Sequence, residues 1–126
     1  MNQKVLIIED EADIRAVYAE ILRDEGFEVI EAGDGSSGLQ KAFDIAWDIL
    51  LLDIILPGSD GVNVLKKVKA NEALKDKPVI LLTNLGAEKV INDCFSLGAA
   101  GYLIKSEITP DKIVEEVKNF LTPQKL

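Results

Sequence analysis

The sequence contains no histidine, and only one cysteine and one tryptophan occur among its 126 residues. The absence of histidine excludes imidazole as a general acid or base, as a metal ligand and as a phosphoryl donor. A lone cysteine excludes an internal disulfide, and the place of Cys94 in the apolar pattern of a helix predicts a small core residue. No apolar run is long enough to cross a bilayer and no signal-peptide pattern opens the chain, so we expect a cytoplasmic protein.

Positive charge is also scarce, with 14 lysines and arginines against 22 aspartates and glutamates and a net charge of -8. Such a surface repels nucleic acid and anionic membranes, so we expect direct binding to neither. What the chain does have is an ordinary globular composition, 48% hydrophobic and 29% charged, at the length of one domain. We predict a single domain over residues 1–122, with residues 123–126 as a frayed tail or the start of a linker.

Five short apolar runs alternate with helical patterns along the chain. The runs are KVLII (4–8), FEVIE (27–31), DILLL (48–52), PVILL (78–82) and AGYLI (100–104). Strands that alternate with helices at this spacing predict βαβ units and a parallel sheet. The third and fourth runs are apolar at nearly every position, as in central strands, whereas the second alternates, as in an edge strand. We therefore predict an α/β, doubly wound, flavodoxin-like sandwich of three layers with strand order 2-1-3-4-5.

The first and last helical patterns have clear apolar faces and boundaries. The first helix should end at Gly26, and the last should begin at Pro110 with Thr109 as its N-cap. The face predicted for the first helix consists of Ile14, Val17, Tyr18, Ile21 and Leu22.

Carboxylates follow two strands that the predicted order makes neighbours. Glu9 and Asp10 end the first strand, and Asp53 ends the third. Ligands bind outside the carboxyl ends of such strands, at the point where the strand order reverses. Two unit charges about 4 Å apart repel by about 4 kcal/mol at a protein surface, so a cation is needed there. An oxygen-rich site without histidine suits Mg²⁺.

Helix capping is the alternative explanation for some of these acids. Glu11 and Asp13 fall in the first turn of a helix, where carboxylates are favoured, and Asp10 could itself be an N-cap. Asp53 differs, because the apolar residues 54–56 that follow it do not begin a helix. A lone buried charge is costly, so a functional site is the better explanation for Asp53.

Two more polar side chains follow strands at the same edge. Thr83 ends the fourth strand and Lys105 follows the fifth. A carboxylate beside a metal and a lysine is equipped for phosphoryl transfer, with Asp53 as the nucleophile. The hydroxyl of Thr83 would be available to bond the product.

At these residues the chain closely resembles the receiver domain of two-component response regulators. The resemblance spans residues 3–121, and its motifs are IIEDE, LLLDIILPGSDG, LLTN and GYLIK, in order and at the expected strand ends. It implies that Asp53 is the phosphoacceptor. It also implies that Asp10, Asp53 and the backbone carbonyl of Ile55 hold Mg²⁺, with Glu9 acting mostly through water.

The resemblance further implies a switch. Thr83 and Lys105 would contact the phosphoryl group, and Tyr102 would match the aromatic residue whose rotamer tracks activation; packing on the outer strand is the alternative for Tyr102. The donor would be a histidine kinase, a phosphotransfer protein or a small acyl phosphate. Phosphorylation would shift the face made by helix 4, strand 5 and helix 5, which binds a downstream target. The sequence leaves dimerisation open.

Some positions depart from the family pattern. Ser106 replaces the usual proline after the lysine, which leaves the geometry of that peptide bond open. Asn84 is larger than the usual residue and would narrow access to the phosphoryl group. Ile55 and Leu85 are apolar at positions that influence water attack, so we hypothesise slow self-dephosphorylation.

Other functional classes fit the sequence less well. A haloacid dehalogenase would place a second aspartate where this chain has Ile55. A flavodoxin-like cofactor module would need a glycine- and hydroxyl-rich loop after the first strand, where this chain has acids. The remaining alternative is a receiver-like adaptor that is never phosphorylated, and the presence of Asp10, Asp53, Thr83 and Lys105 together argues against it.

Overall fold

The computed structural model describes residues 3–56, 60–84 and 88–121. Five parallel strands form one sheet in the order β2-β1-β3-β4-β5, so the predicted fold class and strand order are confirmed. The elements are β1 Lys4–Ile8, α1 Ala12–Asp24, β2 Glu28–Ala32, α2 Gly35–Asp44, β3 Ile49–Asp53, α3 Gly61–Ala70, β4 Val79–Thr83, α4 Glu88–Ser96, β5 Gly101–Ile104 and α5 Pro110–Leu121. The predicted tail and Leu85 lie outside the described residues.

Two apolar layers cover the sheet, one on each face. Helices α2, α3 and α4 pack against one face, where Leu50 and Leu52 of β3 point. Helices α1 and α5 pack against the other face, where Ile49 and Leu51 point. Cys94 lies in the first layer and is buried, as predicted. Every residue of β3 and β4 is buried, because both strands have a neighbour on each side and helices on each face.

The helix boundaries agree with the prediction at α5 and at the end of α1, where Gly26 follows the C-cap residue at a positive φ, and differ at the start of α1. Helix α5 begins at Pro110, and the Thr109 hydroxyl accepts a bond from the backbone N–H of Lys112 at 3.3 Å, as expected of an N-cap. Glu11 occupies the N-cap position of α1, but its side chain makes no capping bond. Capping therefore explains neither Asp10, which is not the N-cap, nor the Glu11 side chain, whereas Asp13 does lie in the first turn.

One residue of the predicted apolar face of α1 is misplaced. Tyr18 and Leu22 are buried, together with Ala19, but Val17 is 53% exposed. The buried face is centred on Tyr18 and Leu22, and Val17 lies on the opposite side of Tyr18 from Leu22 around the helix. No helix in the described ranges is long and apolar enough to span a membrane.

Candidate functional site

The carboxyl ends of β1 and β3 bring three carboxylates together. Ile8 is the register partner of Leu52, so Glu9 and Asp53 come next on adjacent strands. One carboxylate oxygen from each of Glu9, Asp10 and Asp53 lies within 4.8 Å of the others. Glu9 and Asp53 are buried, while Asp10 is exposed. The arrangement is a cluster of two buried carboxylates and one exposed carboxylate that could hold a cation.

Lys105 reaches this cluster from the end of β5. It begins a short 3-10 turn after β5, and its side chain is only 10% exposed. Its Nζ atom donates to Asp53 Oδ2 at 2.7 Å and to Glu9 Oε1 at 2.9 Å. The ammonium group therefore bridges the two buried carboxylates. Sequence reasoning placed Lys105 at this edge but did not identify the bond to Glu9, because residues 96 positions apart show no local pattern.

Burial and neighbouring charges shift the pKa values of Glu9 and Lys105. The pKa of Glu9 is raised to about 7, because burial and the neighbouring Asp53 raise it by more than the bond to Lys105 lowers it. Burial by itself would lower the pKa of Lys105, but its bonds to Asp53 and Glu9 outweigh that effect, so the net shift is upward. Lys105 thus stays charged at neutral pH, and Glu9 holds a proton more readily than an exposed glutamate.

The donor set fits a magnesium ion. Glu9 Oε2 is buried and has no well-oriented hydrogen bond among the described residues, although Lys105 Nζ lies 2.8 Å away. The ammonium group offsets the charge of this oxygen without a well-oriented hydrogen bond, and a metal ion could complete its coordination. The neighbouring ligand atoms are carboxylate oxygens, which Mg²⁺ prefers over nitrogen and sulfur.

Thr83 and Ile55 flank Asp53. Thr83 is the last residue of β4 and 4% exposed, and it follows Leu82, the register partner of Asp53. Its hydroxyl donates to the carbonyl of Asn84 at 3.3 Å. The backbone N–H of Ile55 donates to Asp53 Oδ1 at 3.1 Å, which turns the chain back over the carboxylate, and the Ile55 side chain is 72% exposed.

The chain at and after β5 has two features that bear on the predictions, the Lys105–Ser106 peptide bond and the contact of Tyr102. No cis peptide bond occurs in the described part of the chain, so the Lys105–Ser106 peptide is trans. Tyr102 is 43% exposed and packs edge-on against Phe95 of α4, with ring centroids 6.1 Å apart. It therefore connects β5 with α4, and its role in activation stays a prediction.

Gly61 is a residue that sequence reasoning overlooked. It is the first residue of α3, and its N–H donates to the carbonyl of Ile54 at 2.6 Å. A Cβ atom at this position would lie 2.2 Å from the backbone oxygen of Asp53. Only glycine lets α3 begin this close to Asp53. The signal in the sequence was a glycine directly after Asp60, which caps α3.

Comparisons with known proteins agree with this architecture. A family model described as the response regulator receiver domain matches residues 5–118. The transcriptional regulatory protein ResD of Bacillus subtilis (strain 168) is 32% identical over 118 residues, which are 94% of this chain and 48% of ResD. A putative response regulator from Chloroflexus aurantiacus has a TM-score of 0.90 and 32% identity, with 96% of this chain and 98% of that chain covered.

A second solved structure is informative about metal. The receiver domain of the sensor histidine kinase PA1611 from Pseudomonas aeruginosa PAO1 has a TM-score of 0.87 and 25% identity, with 96% of this chain and 98% of that chain covered. It has a magnesium ion coordinated in its active site cleft.

The chain spans about half the length of the curated relatives it matches.

Proposed function

The chain belongs to the response regulator receiver domain family, and from this premise we propose that it is a signalling switch that accepts a phosphoryl group on Asp53. The observation that carries the proposal is the contact of 2.7 Å between Lys105 Nζ and Asp53 Oδ2, within a cluster of carboxylates. An aspartate that only stabilised the fold would not need two further acids beside it.

The chemistry follows from the charges around Asp53. A carboxylate oxygen of Asp53 attacks phosphorus, and the bond from phosphorus to the donor's imidazole nitrogen or acyl oxygen breaks, which leaves an acyl phosphate. Lys105 would neutralise charge on the phosphoryl oxygens, and the Thr83 hydroxyl would bond the product. Mg²⁺, held by Glu9, Asp10, Asp53 and the Ile55 carbonyl, would supply further positive charge.

The magnesium ion in the PA1611 receiver supports the choice of metal. The three converging carboxylates of Glu9, Asp10 and Asp53 support it independently, on this chain's own geometry. We assign Glu9 to the metal site with Lys105 as its partner. The sequence-based hypothesis also placed Glu9 in the metal site, acting mostly through water.

The proposed output is a change in the surface made by α4, β5 and α5. A phosphoryl group adds a dianion with three acceptor oxygens, which draws the Thr83 hydroxyl toward it. Tyr102 and Phe95 join β5 to α4 on that surface, so a movement of β4 has a path to both elements. We propose a histidine kinase or phosphotransfer protein as donor, a downstream protein as target and a cytoplasmic location.

The test is phosphorylation of the purified chain by acetyl phosphate in the presence of Mg²⁺. We expect a phosphoryl mass gain that hydroxylamine removes, because an acyl phosphate reacts with that nucleophile. The gain should vanish in Asp53→Asn and persist in Asp44→Asn, an exposed acid at the end of α2. An unmodified wild type would instead support the adaptor, and a gain that survives in Asp53→Asn would place the acceptor elsewhere.

A further inference from the structure

We propose that Arg15 is a positioning residue that fixes the Glu9–Asp10 peptide and thereby sets the affinity of the site for Mg²⁺. This inference rests on the metal site proposed above and assigns a role to a side chain that touches neither the metal nor the phosphoryl group. It is carried by contacts among α1, β1 and β2.

Arg15 lies on the core-facing side of α1. It precedes Ala19 by four residues and Leu22 by seven, and both are fully buried against the sheet. The Arg15 side chain is 21% exposed, which is low for an arginine near the start of a helix. Its guanidinium group therefore reaches back toward the carboxyl end of β1 rather than into solvent.

Arg15 connects two strands. Its Nη1 atom donates to the backbone carbonyl of Glu9 at 2.7 Å, and its Nε atom donates to Glu31 Oε1 on β2 at 3.3 Å. Arg23 holds the second oxygen of Glu31 at 3.2 Å. Glu31 thus anchors the guanidinium group, which in turn holds the carbonyl of the first proposed metal ligand.

The Glu9–Asp10 peptide lies just after β1, outside the regular structure of the sheet. The N–H of Glu9 donates to the Ala32 carbonyl at 3.0 Å, and residues 9–11 belong to neither strand nor helix. The Glu9 carbonyl belongs to the peptide plane that leads to Asp10, so its orientation determines where the exposed Asp10 carboxylate can point. Hydrogen bonds that orient metal ligands from outside the coordination sphere typically change metal affinity by about 10–100-fold.

Gly33 makes room for this contact. A Cβ atom at Gly33 would lie 3.0 Å from Arg15 Nη1, so any side chain there would press on the guanidinium group. The close approach is a second observation that the Arg15 position is specific, because the backbone after β2 packs directly on it. It also offers a way to displace Arg15 without removing its charge.

Charge alone makes the opposite prediction. A cation close to a metal site repels Mg²⁺, so an Arg15 that acted only through its charge would weaken binding, and its removal would strengthen binding. Glu31 offsets much of that charge through its ion pair with Arg15. The sign of the change in affinity therefore distinguishes positioning from simple electrostatics.

The test is calorimetric titration of metal-free protein with MgCl₂. We expect Arg15→Met to bind Mg²⁺ about tenfold more weakly than wild type. Arg15→Lys keeps one charged donor group, so its affinity for Mg²⁺ should fall by less. Arg23→Met is the matched control, because Arg23 bonds Glu31 from the same helix but makes no bond to Glu9. It should stay within about twofold of wild type, a difference below half a kcal/mol.

Phosphorylation by acetyl phosphate gives a second readout. The Mg²⁺ concentration for half-maximal rate should rise in Arg15→Met by the same factor as the dissociation constant, while the rate at saturating Mg²⁺ stays near that of wild type. If Arg15→Met fails to fold, Arg15→Lys and Gly33→Ala carry the test, and both should bind Mg²⁺ more weakly.

The outcomes separate the two proposals. If wild type itself binds no Mg²⁺, the proposed metal site is wrong and the role of Arg15 falls with it. If wild type binds Mg²⁺ and the Arg15 variants bind equally well or more tightly, only the positioning role is overturned. An equal loss in Arg23→Met would overturn it as well, because the loss would then not require the bond to the Glu9 carbonyl.

Discussion

At the scale of single residues, Lys105 has two roles. It neutralises Glu9 and Asp53, which are both buried, and it lies where a phosphoryl group on Asp53 would need a cation. Without a bound metal the lysine is the nearest positive charge to these acids among the described ion pairs. A buried ion pair adds little to stability overall, but the removal of one partner leaves an unpaired charge, which is expensive.

We therefore predict that Lys105→Met lowers the unfolding free energy of the metal-free protein by about 3 kcal/mol, because two buried carboxylates lose their counterion. Urea unfolding in the presence of EDTA measures this. The control is Lys75→Met, which breaks an exposed pair with Glu72 and should cost less than about 1 kcal/mol. Equal losses in the two variants would contradict the bridging role of Lys105.

At the scale of elements, the start of α3 packs against the end of β3 and restricts the position of Asp53. Gly61 packs against the backbone of Asp53 and Ile54, and Asp60 caps the helix through a bond of 2.8 Å to the N–H of Asn63. Backbone atoms cannot yield as a flexible side chain can. Glycine at position 61 is thus required by the geometry around Asp53 and not only by the start of α3.

Gly61→Ala should lower the unfolding free energy by about 2 kcal/mol or more and slow phosphorylation, since Asp53 must shift to admit the Cβ atom. Lys66→Ala, an exposed change in the same helix, should change the unfolding free energy by less than about 0.5 kcal/mol. Urea unfolding and the rate with acetyl phosphate give the two readouts. Unchanged stability in Gly61→Ala would mean that the close approach is absent.

Helix α1 supplies a test of the corrected apolar face. Leu22→Ala removes a fully buried side chain and should cost about 2–5 kcal/mol of unfolding free energy. Val17→Ala removes a side chain that is 53% exposed and should cost less than about 1 kcal/mol, because alanine also favours the helix. Thermal or urea unfolding compares the two, and a similar cost for both would show that Val17 is buried after all.

At the scale of the whole molecule, negative charge and metal binding are connected. The chain carries a net charge of -8, and three of its acids meet at one edge of the sheet. An ion that binds only the folded state stabilises it in proportion to the logarithm of its concentration. Salt in general also screens the surface repulsion, so the two effects must be separated.

Mg²⁺ at about 100 times its dissociation constant should raise the unfolding free energy by about 2.7 kcal/mol. NaCl at the same ionic strength should raise it much less, because it screens charge without occupying the site. Asp53→Asn should reduce the difference between the two salts, since one ligand is lost. Equal effects of MgCl₂ and NaCl on wild type would argue against a specific site.

The parallel fold and the sheet edge shared by the strand-end side chains could be predicted from the amino-acid sequence. Apolar runs at regular spacing fix parallel strands and their order, and Glu9, Asp53, Thr83 and Lys105 then follow from the rule that strand ends converge. Three features become visible only in the three-dimensional structure: Lys105 bridges Glu9 and Asp53, Gly61 packs on the Asp53 backbone, and Val17 faces solvent. These features depend on distances between residues remote in the chain or on the exact rotation of a helix, and periodicity specifies neither.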